Sequence, residues 1–167
     1  LKRKNNEQVV VFGDYDVGGV CGTAILWETL YGLGAKVMPY IPNRIDEGYG
    51  LSEKGIDNLK LKIKNCSLII TVDNGIVANK AVEFAKKKGI DVIITDHHVP
   101  SDKLPKAFSI VHTTLLCGTG VAYILAKELK IEQDDHLALV ALATVSDMVP
   151  LLGVNRTFLK YGLLELN

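Results

Sequence analysis

Short apolar runs bounded by polar or turn residues alternate along this chain with segments of helical character, and that alternation restricts the fold more than any other feature. Gln8 to Phe12, Lys36 to Ile41, Ser67 to Val72, Asp91 to Thr95 and Phe108 to Val111 read as strands. Val20 to Tyr31, Ser52 to about Lys60, Ala78 to Lys88, Thr119 to Lys130, a segment starting near Asp134, and Asn155 to Leu166 read as helices. Ser52 is placed to cap one of them, and Gly32 and Gly89 to stop two others. Strands alternating with helices are the signature of βαβ units. The expected fold is therefore α/β, three αβα layers around a mostly parallel five-stranded sheet. Leu137 to Val145 is almost wholly apolar, which predicts a buried helix.

The strand ends carry the chemistry. The first strand runs into Gly13-Asp14-Tyr15-Asp16-Val17-Gly18-Gly19, the third into Asp73-Asn74-Gly75, and the fourth into Asp96-His97-His98. In a parallel sheet these ends point one way, about 4.8 Å apart between neighbours. Carboxylates so close repel one another in a dry cleft unless cations sit between them. Asp147, after the apolar helical stretch and before Pro150, is a further candidate. Taken singly, an Asp at a strand-to-helix junction is more often a cap or a turn former, and a lone His is usually structural or exposed. The set is more specific than its members. Mixed carboxylate and imidazole donors without thiolate suit Mn²⁺, and Mg²⁺ or Fe²⁺ less decisively. Such a set can hold two ions, and two ions about 3.5–4 Å apart stabilise both attacking and leaving oxygens at a phosphoryl centre.

Composition narrows the classes. The 167 residues suffice for one domain, and no apolar run is long enough to span a bilayer. Nineteen basic residues balance nineteen acidic ones, which argues against a global nucleic-acid field while leaving room for a local patch. Cys21, Cys66 and Cys117 fit no zinc spacing and read as small buried hydrophobes in a reducing, cytoplasmic setting. The chain opens at Leu1 and stops inside a helical pattern at Asn167, so it is expected to be a domain cut from a longer protein.

Gly13 to Gly19, Val72-Asp73-Asn74-Gly75, Thr95-Asp96-His97-His98 and Ser146-Asp147-Met148-Val149-Pro150-Leu151 resemble, in order, the four motifs of the DHH phosphoesterase superfamily. Ile41-Pro42-Asn43-Arg44, Glu47-Gly48-Tyr49-Gly50-Leu51-Ser52 and Asn155-Arg156 are similar to the RecJ branch, which degrades single-stranded DNA from an end. The resemblance spans nearly the whole chain and corresponds to that family's catalytic, Rossmann-like DHH domain. The family's second domain, which closes the cleft and helps to bind substrate, has no counterpart in these residues. The resemblance implies a two-metal phosphodiesterase, manganese-dependent by preference, acting exonucleolytically from 5′ to 3′. It assigns Asp14 and Asp73 to one metal. Asp16, Asp73, His97 and Asp147 go to the other, with Asp73 bridging. It gives His98 a phosphate oxygen or the leaving group, Asp96 the orientation of a histidine, and Arg44 a nucleic-acid phosphate. Single-stranded DNA and the second domain of the parent chain are the implied partners, with no membrane.

Two departures stand out. Gly18 occupies a position where the RecJ branch usually has a third Asp, and His112-Thr113-Thr114 replaces its common Asn-Pro in a shortened loop. His112 and His136 are read as structural. Two rival functions remain: a phosphodiesterase of short oligonucleotides or cyclic dinucleotides, and an inactive DHH module serving as a scaffold. Glu47 to Ser52 speaks against the first, and Gly18 together with the missing second domain favours the second.

Overall fold

Strands β1 (Gln8–Phe12), β2 (Val37–Tyr40), β3 (Cys66–Val72), β4 (Asp91–Asp96) and β5 (Ser109–His112) form one sheet in the order β2-β1-β3-β4-β5. Every neighbouring pair is parallel. The structure, a computed structural model, describes residues 7–129 and 136–166. Helices α1 (Val17–Gly32), α2 (Glu53–Lys62), α3 (Asn79–Lys87), α4 (Gly118–Glu128), α5 (His136–Ser146) and α6 (Gly153–Glu165) complete it.

Side chains alternate across the strands and so feed two cores. Val10, Phe12, Ile69, Val92 and Ile94 face one side, where they pack with Ile56 and Leu59 of α2 and Val82 and Ala85 of α3. Val11, Leu68, Ile70 and Val72 face the other, against Ile25 and Leu26 of α1, Ala122 and Ala126 of α4, and Val140 of α5. Because both faces are covered, the strands are nearly continuous apolar runs. The three-layer α/β expectation holds, and the sheet is wholly parallel among the described residues. Among those residues no helix is long and apolar enough to cross a membrane.

The strand order reverses between β1 and β3. In an open doubly wound sheet that is where the ends of the connecting segments leave a crevice. Asp14 follows β1 and Asp73 follows β3, so the fold sets both acids at this switch point.

Two expectations need correction. Helix α1 starts at Val17, not Val20: Asp16 is its N-cap, with Oδ1 accepting from the Gly19 amide at 2.8 Å. A cap of this kind offsets the low helix preference of Gly18 and Gly19. The apolar stretch of α5 is not wholly buried either. His136, Ala138, Val140, Ala141, Ala143 and Thr144 are buried, while Leu142 and Val145 are about half exposed, at 48% and 52%. An all-apolar run does not declare its inner face; here the small residues take it and let α1 and α6 come close. The expected helix end at Lys130 and helix start near Asp134 lie outside the described residues.

Candidate metal centre

The acids gather at the carboxyl edge of the sheet. Ligand atoms of Asp16, Asp73 and Asp147 lie within 4.8 Å of one another, and so do those of Asp73, His97 and His98. Asp73 belongs to both groups. His97 Nε2 is 3.1 Å from Asp73 Oδ1 and 3.4 Å from Asp147 Oδ2. One imidazole nitrogen thus faces two carboxylates, and neither of those oxygens has a well-aligned hydrogen bond among the described residues.

Asp73 is held by an unusual backbone. Its φ is +64°, in the left-handed region that side chains rarely adopt, while its amide still donates to the Thr95 carbonyl at 3.0 Å. Strain of this kind persists where surrounding structure dictates it, and it clusters at functional sites. The surroundings are visible here: a Cβ at Gly18 or at Gly118 would run into the Asp73 carboxylate. The glycines of α1 and α4 therefore form a cradle around that group. Thr119 ties the two helices together, its hydroxyl donating to the Gly18 carbonyl at 2.6 Å.

Asn74 locks the neighbouring ends. Its Nδ2 donates to the carbonyls of Val72 at 2.8 Å and Phe12 at 3.3 Å, and its Oδ1 accepts from the Leu51 amide at 3.0 Å. The ends of β1 and β3 and the loop before α2 are thereby joined by one side chain.

Asp14 is fully buried, and neither carboxylate oxygen has a hydrogen-bond partner of good geometry among the described residues. Burial pushes its carboxyl up, as does Asp16, against the nearby amides of Tyr15 and Gly50. Burial also raises Asp73, to about 6, with Asp147 and Asp16 adding to the rise against the imidazole of His97. Asp147 is raised for the same first reason. His97 is raised: burial disfavours its charge, but the Asp73 carboxylate prevails. An orphaned buried carboxylate beside mutually repelling acids is costly unless a cation compensates. The donors are oxygen and imidazole nitrogen throughout, so the residues present fit hard or borderline divalent metals such as Mn²⁺.

Asp96 takes a different part. Its Oδ2 accepts from the Ile76 amide at 2.8 Å, and its Oδ1 from the His97 amide at 2.7 Å and from the ring of His98 at 2.8 Å. Burial alone would raise its carboxyl, but the His98 imidazole and these amides outweigh that and hold it below the usual range. With its oxygens spent on these bonds, Asp96 fixes the turn and orients His98 through Nδ1. The other ring nitrogen of His98, Nε2, lies 3.1 Å from the Tyr49 hydroxyl. The bond with Asp96 raises His98 more than burial lowers it.

Arg44 is exposed, its guanidinium carbon 5.0 Å above the ring of Tyr15, and Tyr15 meets Tyr49 edge-on at 6.2 Å. Arg44, Tyr15, Tyr49 and His98 thus line one wall of the crevice. His112 donates from Nε2 to the His98 carbonyl at 2.7 Å, and His136 pairs with Glu28 at 3.0 Å, so both have structural partners. Cys21, Cys66 and Cys117 are buried.

Sequence reading passed over Tyr49, Gly118 and the support from His112. Tyr49 lies inside a quoted motif, but its partners are 24 and 49 residues away, and no local pattern announces them.

The model of the DHH family, N-terminal domain, matches residues 8–144. The chain belongs to the DHH family. Its curated relatives include the single-stranded-DNA-specific exonuclease RecJ of Bacillus subtilis, 43% identical over 94% of this chain and 21% of that protein. The chain thus spans about a fifth of that relative's length. A crystal structure of exonuclease RecJ bound to manganese superposes with a TM-score of 0.82 at 36% identity, covering 94% of this DHH chain and 43% of the other. RecJ of Thermus thermophilus in complex with Mn²⁺ gives 0.76 at 32% identity, covering 94% and 24%.

Proposed function

We propose that these 167 residues are the DHH catalytic domain of a longer, RecJ-like exonuclease that hydrolyses single-stranded DNA from 5′ to 3′. The observation that carries this reading is the convergence of Asp16, Asp73, Asp147 and His97 on one sheet edge, beside the orphaned carboxylate of Asp14. Asp14 and Asp73 would hold one divalent ion. Asp16, Asp73, His97 and Asp147 would hold another, with Asp73 shared. When bound, Mn²⁺ supplies Lewis acidity at phosphorus and a water poised for in-line attack.

The chain's own groups do the rest. Asp96 holds His98 through Nδ1, and Nε2 lies 3.1 Å from the Tyr49 hydroxyl. Held so, a protonated His98 would set positive charge beside a non-bridging phosphate oxygen or the departing oxygen. Arg44, propped on Tyr15, offers a planar fork that matches phosphate. A second domain of the parent chain would close the cleft and grip the strand. The enzyme would work in the cytoplasm, in DNA repair and recombination. Single-stranded DNA, rather than a dinucleotide, is favoured by the row of contacts from Arg44 through Tyr15 and Tyr49 to His98, which offers a cation and aromatic faces beside the acids.

End-labelled single strands incubated with the full-length protein and Mn²⁺ test this. Release of mononucleotides from the 5′ end, abolished by Asp73→Ala, is expected. Unimpaired cleavage by that variant, or faster turnover of a dinucleotide than of a long strand, sinks the assignment.

A further inference from the structure

Tyr49 stands in the loop between β2 and α2, and its hydroxyl lies 3.1 Å from the Asp73 carbonyl and 3.1 Å from His98 Nε2. A carbonyl only accepts, and a phenol has one proton. That proton goes to the Asp73 carbonyl, and the phenol oxygen stays in contact with His98 Nε2. The carbonyl concerned belongs to the residue at φ +64°, whose backbone turn aims the Asp73 side chain between Gly18 and Gly118. A bond to that carbonyl favours the strained turn over its relaxed alternatives. On its other side the hydroxyl fixes the rotation of the His98 ring, which Asp96 grips only through Nδ1.

The loop is built to keep Tyr49 in place. Upstream, Glu47 accepts from Tyr40 at 2.8 and 2.9 Å and from Asn58 at 2.8 Å. Downstream, the Leu51 amide is fastened to Asn74 at 3.0 Å. The ring itself meets Tyr15 edge-on at 6.2 Å and His98 at 5.9 Å.

We propose that the Tyr49 hydroxyl is a positioning group of this site, holding the backbone of the shared ligand Asp73 and the ring of His98 in fixed relation. This rests on the reading of Asp73 as a metal ligand and of His98 as a phosphate contact. Tyr49 acts through those two residues and takes no part in bond making.

The test uses the full-length protein with Tyr49→Phe, which keeps the ring, and Tyr49→Leu, which removes it. Mn²⁺ titration by calorimetry, without DNA, is expected to show the Phe variant binding about three- to tenfold more weakly, the effect of one hydrogen bond. On single-stranded DNA, kcat should fall about tenfold with KM within about twofold of wild type. The Leu variant should lose little more, because the hydroxyl carries the effect. Wild-type Mn²⁺ affinity and kcat in the Phe variant overturn the proposal, as does a raised KM alone, which would make Tyr49 only a DNA contact. A Phe variant like wild type beside a crippled Leu variant also overturns it, by assigning the effect to the ring. Should wild type bind Mn²⁺ yet cut no DNA, the exonuclease reading fails while the calorimetric arm still decides on Tyr49. If the variants do not fold, a crystal structure of the Mn²⁺-loaded wild type decides. A hydroxyl within hydrogen-bond reach of the Asp73 carbonyl supports the proposal, and one swung away overturns it.

Discussion

Asp73 concentrates the cost of this site in one residue. It is buried, left-handed in φ, and raised to about 6 by burial, with Asp147 and Asp16 adding to the rise. A carboxyl whose folded pKa stands above its unfolded value stabilises the fold only while protonated. That contribution is complete below the unfolded value near 3.8 and is lost as pH rises through about 6. At neutral pH, metal-free protein therefore carries an unfavourable charge. Asp73→Asn should melt higher than wild type at pH 7 without metal, by about 2–6 °C, and the gain should vanish near pH 4. The same variant should lose Mn²⁺ binding. Calorimetric scans at the two pH values, with and without Mn²⁺, check both signs. The acid itself was legible in the sequence, because an Asp after a buried strand is conspicuous. Its strain and its cradle were not, since Gly118 reaches Asp73 only through the packing of α4 against the sheet.

Among the elements, α1 shows how one residue serves two ends. Asp16 caps the helix through Oδ1 and also belongs to the acidic group around Asp73. Asn caps about as well as Asp but carries no charge. Asp16→Asn should keep the melting temperature of wild type and weaken Mn²⁺ binding. Asp16→Ala should do the latter and also lose about 1 kcal/mol of stability. Equal stability of the two variants in urea titrations would deny the cap. The sequence signals for elements divided along physical lines. Ser52 was readable as a cap because Ser before a helical pattern has a local mechanism, and its hydroxyl accepts from the Gly55 amide at 3.0 Å. The start of α1 was not readable, because Gly18 and Gly19 mimic a turn. The exposure of Leu142 and Val145 was hidden for a different reason: tertiary packing, not periodicity, selects the inner face of an all-apolar helix.

At the scale of the whole molecule, charge and length bear on substrate. The formal net charge is zero, so an electrostatic grip on DNA has to come from local groups such as Arg44 or from the second domain proposed for the parent chain. Filter binding with the 167-residue domain alone should therefore show weak association with single-stranded DNA and little processive cutting. Tight binding that falls steeply with salt would refute that division of labour. The fold class was legible from alternating strands and helices. The switch point was not legible, because strand order depends on crossovers that no local pattern records. Yet it is the order β2-β1-β3 that brings the Asp14 and Asp73 ends together. This edge is proposed to be a two-metal site sharing Asp73. Crystals soaked in Mn²⁺ and measured for anomalous scattering test it most directly. Two peaks are predicted, both touching Asp73, one beside Asp14 and the other between Asp16, His97 and Asp147. No peak at this edge, or ions bound away from Asp73, would contradict it.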